Sequence, residues 1–180
     1  FVYAGAANAN YKQIKEALDL LIKAGLVIPV THSAANGIPI GAEINPKKRK
    51  MLPLDTGLFQ RILGLDMSEI FLSDDFEVVN KGAIAEIYAG LELQKSPSCY
   101  HKDDLYFWKR EERGSNAEAD YLIQKNEDII PIEIKSGKRG SMQSLHLFLK
   151  EKQSPYGIRS SSENFCAYEN IKVIPLYAIG

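Results

Sequence analysis

Cysteine, histidine and long apolar runs are all scarce in this chain, and each shortage removes a class of function. Its two cysteines, Cys99 and Cys166, stand far apart in 180 residues and form no CxxC. A thiolate zinc site is not encoded, and each cysteine reads as a buried or free thiol, with a disulfide between them the unsupported alternative. His32, His101 and His146 are scattered without zinc-ligand spacing. No apolar stretch approaches the roughly 20 residues of a membrane span, and no signal peptide is visible. The expectation is a cytoplasmic protein with no membrane partner. An excess of one charge is also missing: 22 basic against 23 acidic residues leave a formal net charge of -1. That argues against indiscriminate DNA binding by the whole surface, though a local basic strip stays open. A GxxxxGK[ST] phosphate loop is absent too; "SGKRGS" at 136–141 has glycines and a lysine at the wrong spacing. The chain starts at Phe1 without a methionine and reads as a piece of a longer protein.

What is present fits a globular α/β protein, with 45% hydrophobic and 25% charged residues. After Asn10, residues Ile14, Ala17, Leu18, Leu21 and Ile22 recur at helical spacing. Asn10 with Gln13 has the form of a capping box, and Gly25 suits the left-handed residue that ends a helix. "LVIPV" then reads as a strand. Asn36-Gly37 and Asn45-Pro46 are turn signals, so the stretch up to Asp55 reads as two or three short strands, followed by a helix. A helix followed by a hairpin looks like a winged helix. "KKRK", Lys47 to Lys50, would lie near the hairpin tip, either touching phosphates or, as the plainer reading, solvated. The polar stretch Ser73–Lys81 marks the expected boundary between a segment 1–72 and a domain 73–180.

The second half has a clearer pattern. "KGAIAEIYAGLELQK" is a helix with Ile84, Ile87, Tyr88 and Leu91 as its stripe. "LYFWKRE", "AEADYLIQ" and "DIIPIEI" are three strands, the last two joined tightly through "KNED". Trp108 and the nearby tyrosines could stack on bases, but packing of a sheet against a helix is the preferred reading. "SMQSLHLFLKEK" is a helix with Leu145, Phe148 and Leu149 inward, and "NFCAYENIKVIPLYAIG" supplies the last strand or two. A crossover helix after the third strand implies a parallel return into a mixed sheet.

In "DIIPIEIKSG" the isoleucines alternate with Glu133 and Lys135, which share the other face. Asp120 lies on the preceding strand and Glu86 on the preceding helix. If the two strands pair, Asp120 and Glu133 converge. Two convergent carboxylates suit Mg²⁺ or Mn²⁺, and Lys135 would orient a water or stabilise developing negative charge. A Glu-x-Lys alone is more often the wet side of a sheet.

Asp120-x12-Glu133-Ile134-Lys135, with Glu86 upstream, resembles the PD-(D/E)xK nuclease superfamily. The resemblance implies a restriction-endonuclease-like core, with Asp120, Glu133 and the Ile134 carbonyl on the metal, Lys135 at the water and Glu86 helping or bracing the site. Ala119 stands where the superfamily often has proline. Leu147 stands where recombination nucleases of Gln-x3-Tyr type have tyrosine after Gln143. A wider set of phrases covers nearly the whole chain: "IKEALDLLIKAGLVIPV", "SAANGIPIGAEIN", "KMLPLDTGLF", "KGAIAEIYAGLEL" and "IIPIEIKSG". Together they look like the C-terminal region of a prokaryotic AAA-type ATP-binding protein family, in which a winged-helix-like segment and a nuclease-like domain follow the ATPase core. That likeness implies an attached ATPase domain as partner, ATP bound only outside this chain, and nucleic acid as a candidate substrate. The competing expectations are a non-catalytic module that regulates the ATPase and DNA binding through the winged-helix-like segment. Oligomeric state is not legible.

Overall fold

The computed structural model describes residues 10–64, 81–95, 100, 103–111, 116–137 and 140–180. The expected boundary at Ser73, Cys99, His101, and most of the loop around Pro97 and of the "ERGSN" turn lie outside the described residues. The described elements are α1 (Tyr11–Lys23), β1 (Val27–Ser33), β2 (Ile44–Pro53), α2 (Thr56–Ile62), α3 (Lys81–Lys95), β3 (Leu105–Lys109), β4 (Glu118–Lys125), β5 (Asp128–Ile134), α4 (Gln143–Lys152), β6 (Gly157–Ser161), β7 (Cys166–Tyr168) and β8 (Ile171–Pro175). Eight strands form one mixed sheet in the order β2-β1-β3-β4-β5-β6-β8-β7. Strands β1 and β2, from the first 72 residues, belong to the same sheet as the rest.

Local chemistry accounts for the ends of α1. The Asn10 side chain accepts from Gln13 N–H, the Gln13 side chain accepts from Asn10 N–H, and Gly25 follows at φ +73°. Asp55 caps α2 by accepting from Leu58 N–H. Strand β2 departs from the expected broken strands. It runs unbroken through "KKRK", and its partner register jumps from Thr31↔Arg49 to His32↔Asn45. The residues between bulge outward, and Asn45 Oδ1 accepts from Lys47 N–H inside the bulge. The turn signal at Asn45-Pro46 is thus spent on a bulge, where proline's missing N–H disrupts no ladder bond.

Helices α3 and α4 cover opposite faces. Ile87, Ala89 and Leu91 of α3 pack with Ile130, Ile132 and Ile134 of β5, while Phe148 of α4 packs with Ile129, Leu122 and Trp108. Trp108 is buried and meets Phe148 edge-on at 5.1 Å. β5 and β6 are parallel, joined across α4, as the crossover rule requires. The returning strand is "GIRSS", which the sequence reading passed over, and not "NFCAY". All five of its residues are buried. Gly157 leaves room for Leu145, Leu149 and Pro131, which a Cβ would touch at 3.4–3.7 Å. A strand buried on both faces need show no polar alternation, and Arg159 with two serines hides its core position. Among the described residues, no helix is long and apolar enough to cross a membrane.

Candidate functional site

β5 ends at Ile134, and the site is built around that end. Lys135 N–H donates to Ser160 O in β6 at 2.8 Å. Its neighbour Ile134 therefore turns its N–H and carbonyl the other way, toward β4. There Ile134 N–H donates to Asp120 Oδ2 at 2.8 Å. The ladder between β4 and β5 ends at the Tyr121↔Ile132 pair, and Asp120 and Glu133 are the next residues beyond it.

A bulge decides where Asp120 points. Trp108 pairs with Ala119 and Tyr106 with Leu122, so β4 carries one extra residue there. Ala119 belongs to the α4-side core and Tyr121 to the α3-side core, although two residues of a regular strand would share a face. The irregularity falls on Asp120, and bulges re-aim side chains in this way.

On the α3 side, Lys50 of β2 gathers three carboxylates. Its Nζ lies 2.6 Å from Glu118, 2.9 Å from Glu86 and 3.7 Å from Asp120. The same ammonium sits 5.0 Å above the Phe107 ring. Burial acts to lower the Lys50 pKa, but Glu86, Glu118 and Asp120 outweigh it and the net direction is upward. Burial, followed by the negative charge of Glu86, raises the Asp120 carboxyl to about 6; the Ile134 N–H, Lys50 and Lys135 oppose the rise. Tyr121 O–H donates to the Glu86 backbone carbonyl at 2.7 Å and fixes α3 over the sheet. Gly90 permits that approach, since a Cβ there would run into the Tyr121 hydroxyl and Leu52.

On the α4 side lie Glu133 and Lys135. Alternation along β5 sends them away from Ile132 and Ile134, and Gly140 packs near the Lys135 stem. Lys135 Nζ is 2.6 Å from Glu133 Oε1. Glu133 is buried, its Oε2 has no partner, and Arg159 is its cross-strand neighbour in β6.

The predicted residues thus fall into two groups. Glu86 and Asp120 meet through Lys50, and Glu133 pairs with Lys135. The Asp120–Ile134 hydrogen bond joins the two groups. Sequence reasoning missed Glu118 and Tyr121, and it treated Lys50 as one more residue of a basic run. Glu118 had a signal, two positions before Asp120. Lys50 had none, because its partners are 36 residues away and more.

Carboxylates suit a small divalent cation, but the two groups lie on opposite sides of the sheet and meet only through the Asp120–Ile134 hydrogen bond. Glu133 offers an orphaned buried oxygen, and Asp120 is held in surroundings that undercompensate its charge. Among the described residues no three His, Cys, Asp and Glu side chains form a metal-holding group. Water would have to complete the shell, as Mg²⁺ ordinarily requires.

A protein-family model described as a domain of unknown function (DUF4143) matches residues 81–179, more than half the chain. No curated protein and no solved structure matches it.

Proposed function

The chain belongs to the DUF4143 family, described as a domain of unknown function, and from that premise we propose that it carries a nuclease-like core that hydrolyses phosphodiester bonds in nucleic acid. The observation that carries the reading is the tie between strands. Asp120 accepts from Ile134 N–H at 2.8 Å, next to the 2.6 Å Glu133–Lys135 pair. The element order α3, β3, β4, β5, α4, β6 supports a restriction-endonuclease-like assignment of this half. Helix α1 before the β1–β2 hairpin supports the winged-helix-like reading of the first 72 residues. The resemblance to AAA-type proteins supports an ATPase partner outside this chain.

Asp120 and Glu133 would have to turn toward one another at the end of β5 to hold Mg²⁺ or Mn²⁺ with the Ile134 carbonyl; such an ion, when bound, neutralises phosphoryl charge and acidifies a water. Lys135 donates to the attacking water or to the developing oxyanion, a role open to an ammonium with three donors. Glu133 holds Lys135 in place until substrate arrives. Lys50 keeps Glu86 and Asp120 together and limits repulsion between them.

The test incubates the protein with Mn²⁺ or Mg²⁺ and a mixture of single- and double-stranded DNA and RNA. Wild type should cut. Asp120→Asn and Lys135→Ala should each lower the rate by about 100-fold or more, with metal affinity less affected in the lysine variant.

A second reading has its own observation. The ammonium of Lys50 already occupies the acid cluster, within 3.7 Å of all three carboxylates. A resident cation suits a fold kept for binding and for regulating the attached ATPase. Binding without cutting, unchanged in Lys135→Ala, would select it. Loss of binding in Lys48→Glu with Arg49→Glu would assign the contact to the N-terminal segment.

A further inference from the structure

Half of the basic run "KKRK" is already engaged within the fold. Lys48 pairs with Glu111, and Lys50 sits in the acid cluster. Lys47 and Arg49 are exposed, and among the described residues neither has an ion-pair partner. Both line a groove of about 480 Å³ between β2 and α1. Its α1 wall carries Lys15, exposed and equally unpaired among the described residues, and Tyr11, whose surface is two-thirds exposed. Leu18 and Met51, both half-buried, supply apolar surface inside. Among the described residues of the lining, Asp19 is the only acid.

We propose that this groove holds a single-stranded nucleic acid, with Lys15, Lys47 and Arg49 on its phosphates and Tyr11 stacked against a base. A chain of net charge -1 has no general pull on polyanions. Three unpaired cations converging on one cleft therefore mark a local site. Charged side chains on an edge strand also guard it against pairing with another chain, and β2 is an edge of the sheet. That role needs no second wall, and Lys15 on α1 contributes nothing to it. The surface between the cations selects the partner. Single strands present unstacked bases to aromatic and apolar side chains. A duplex keeps its bases stacked inside, and an acidic peptide has no repeating planar group to lay on Tyr11.

The groove shares no residue with the acid cluster or with the Glu133–Lys135 pair, so the inference does not rest on the phosphodiesterase reading. It also divides the basic run in a way that the sequence does not. Lys47 and Arg49 meet the ligand, while Lys48 and Lys50 serve the fold.

The test is fluorescence anisotropy with short labelled DNA and RNA single strands, the matching duplexes and a polyglutamate peptide, in EDTA so that no cutting intervenes. Single strands should bind most tightly, and their affinity should fall with salt. Lys15→Ala, Lys47→Ala and Arg49→Ala should each reduce the logarithmic salt slope by about 0.7, the value for one phosphate contact on a single strand. Lys48→Ala should leave affinity and slope unchanged. Tyr11→Ala should weaken binding about fivefold or more, the low end for a stacked base, without changing the slope. Absence of single-strand binding overturns the proposal, as does binding unchanged when Lys15, Lys47 and Arg49 are all replaced by alanine. A loss in Lys48→Ala equal to that in Arg49→Ala, or tighter binding of the duplex or the peptide, also overturns it. Groove-dependent binding by a protein that never cuts would sink the phosphodiesterase reading and leave the groove standing. Cutting without groove-dependent binding would do the reverse.

Discussion

Two groups of charges flank the end of β5, and they are built on opposite plans. On the α3 side, Glu86, Glu118 and Asp120 share one ammonium, Lys50. On the α4 side, Glu133 meets Lys135, a neighbour two residues along the same strand. The first group is assembled from two strands and a helix and carries more negative than positive charge. The second is local and balanced, apart from one orphaned oxygen. The contrast separates two demands on a site. A local pair positions a reacting group cheaply, because the strand itself sets the spacing. A crowded acid cluster is strained, and it persists only because distant elements hold it together.

The sharpest way to break the contrast is to remove the shared cation. Lys50→Met leaves three partly buried carboxylates facing one another. Breaking a buried pair costs about 3–5 kcal/mol, and partial exposure reduces that to roughly 3. Urea denaturation in EDTA should show the loss, and millimolar Mn²⁺ should restore part of it. No recovery with Mn²⁺ would mean that these carboxylates do not close around a divalent ion.

Asp120→Asn sharpens the contrast from the other direction. The Asp120 carboxyl has a pKa of about 6 in the fold against an ordinary 3.8. A carboxyl raised in this way binds its proton more tightly when folded. Its contribution is fully present below about pH 4 and is lost as pH rises through about 6. The gap corresponds to ~3 kcal/mol at ~1.4 kcal/mol per pKa unit. Wild type should therefore lose up to that much stability across this window. The asparagine variant, which keeps an oxygen for Ile134 N–H, should lose the slope and be the more stable protein at neutral pH. An identical pH profile in both would remove the strain from the account.

Gly90→Ala tests the helix that carries Glu86. Its Cβ would collide with the Tyr121 hydroxyl and Leu52. Overpacking of this kind costs about 1–3 kcal/mol, while the gain in helix propensity returns only ~1. A net loss in thermal denaturation is expected. Tyr121→Phe should have the smallest effect, about 1 kcal/mol for the lost hydrogen bond to the Glu86 carbonyl. Because a phenylalanine would relieve rather than add crowding at Gly90, the double variant should recover part of the Gly90→Ala loss.

The legibility of the two groups follows their construction. Glu133 and Lys135 were visible because a two-residue period and a pairing distance of two coincide. Asp120 was visible as a carboxylate on the neighbouring strand, but its bulge was not, since a bulge shows only in the register of two strands. Lys50 was visible merely as part of a basic run. The tight turn before β5, the caps of α1, the start of α2 after Asp55 and the inward face of α4 were all legible, each depending on neighbours within four residues. Strand β6 was not, because burial on both faces removes the alternation by which strands are recognised.

What the sequence by itself determined is the set of elements with a period and a cap, and the Glu-Ile-Lys spacing on β5. Those features are encoded in contacts between residues close along the chain, and their physics is complete there. Only the tertiary structure decided that Lys50 would enter an acid cluster and that Asp120 would reach the Ile134 N–H. It alone also set Lys15 of α1 across a groove from Lys47 and Arg49 of β2. Each of these depends on strand order and register in the sheet. Register is set by how the whole hydrophobic face packs, and no short stretch of sequence contains it.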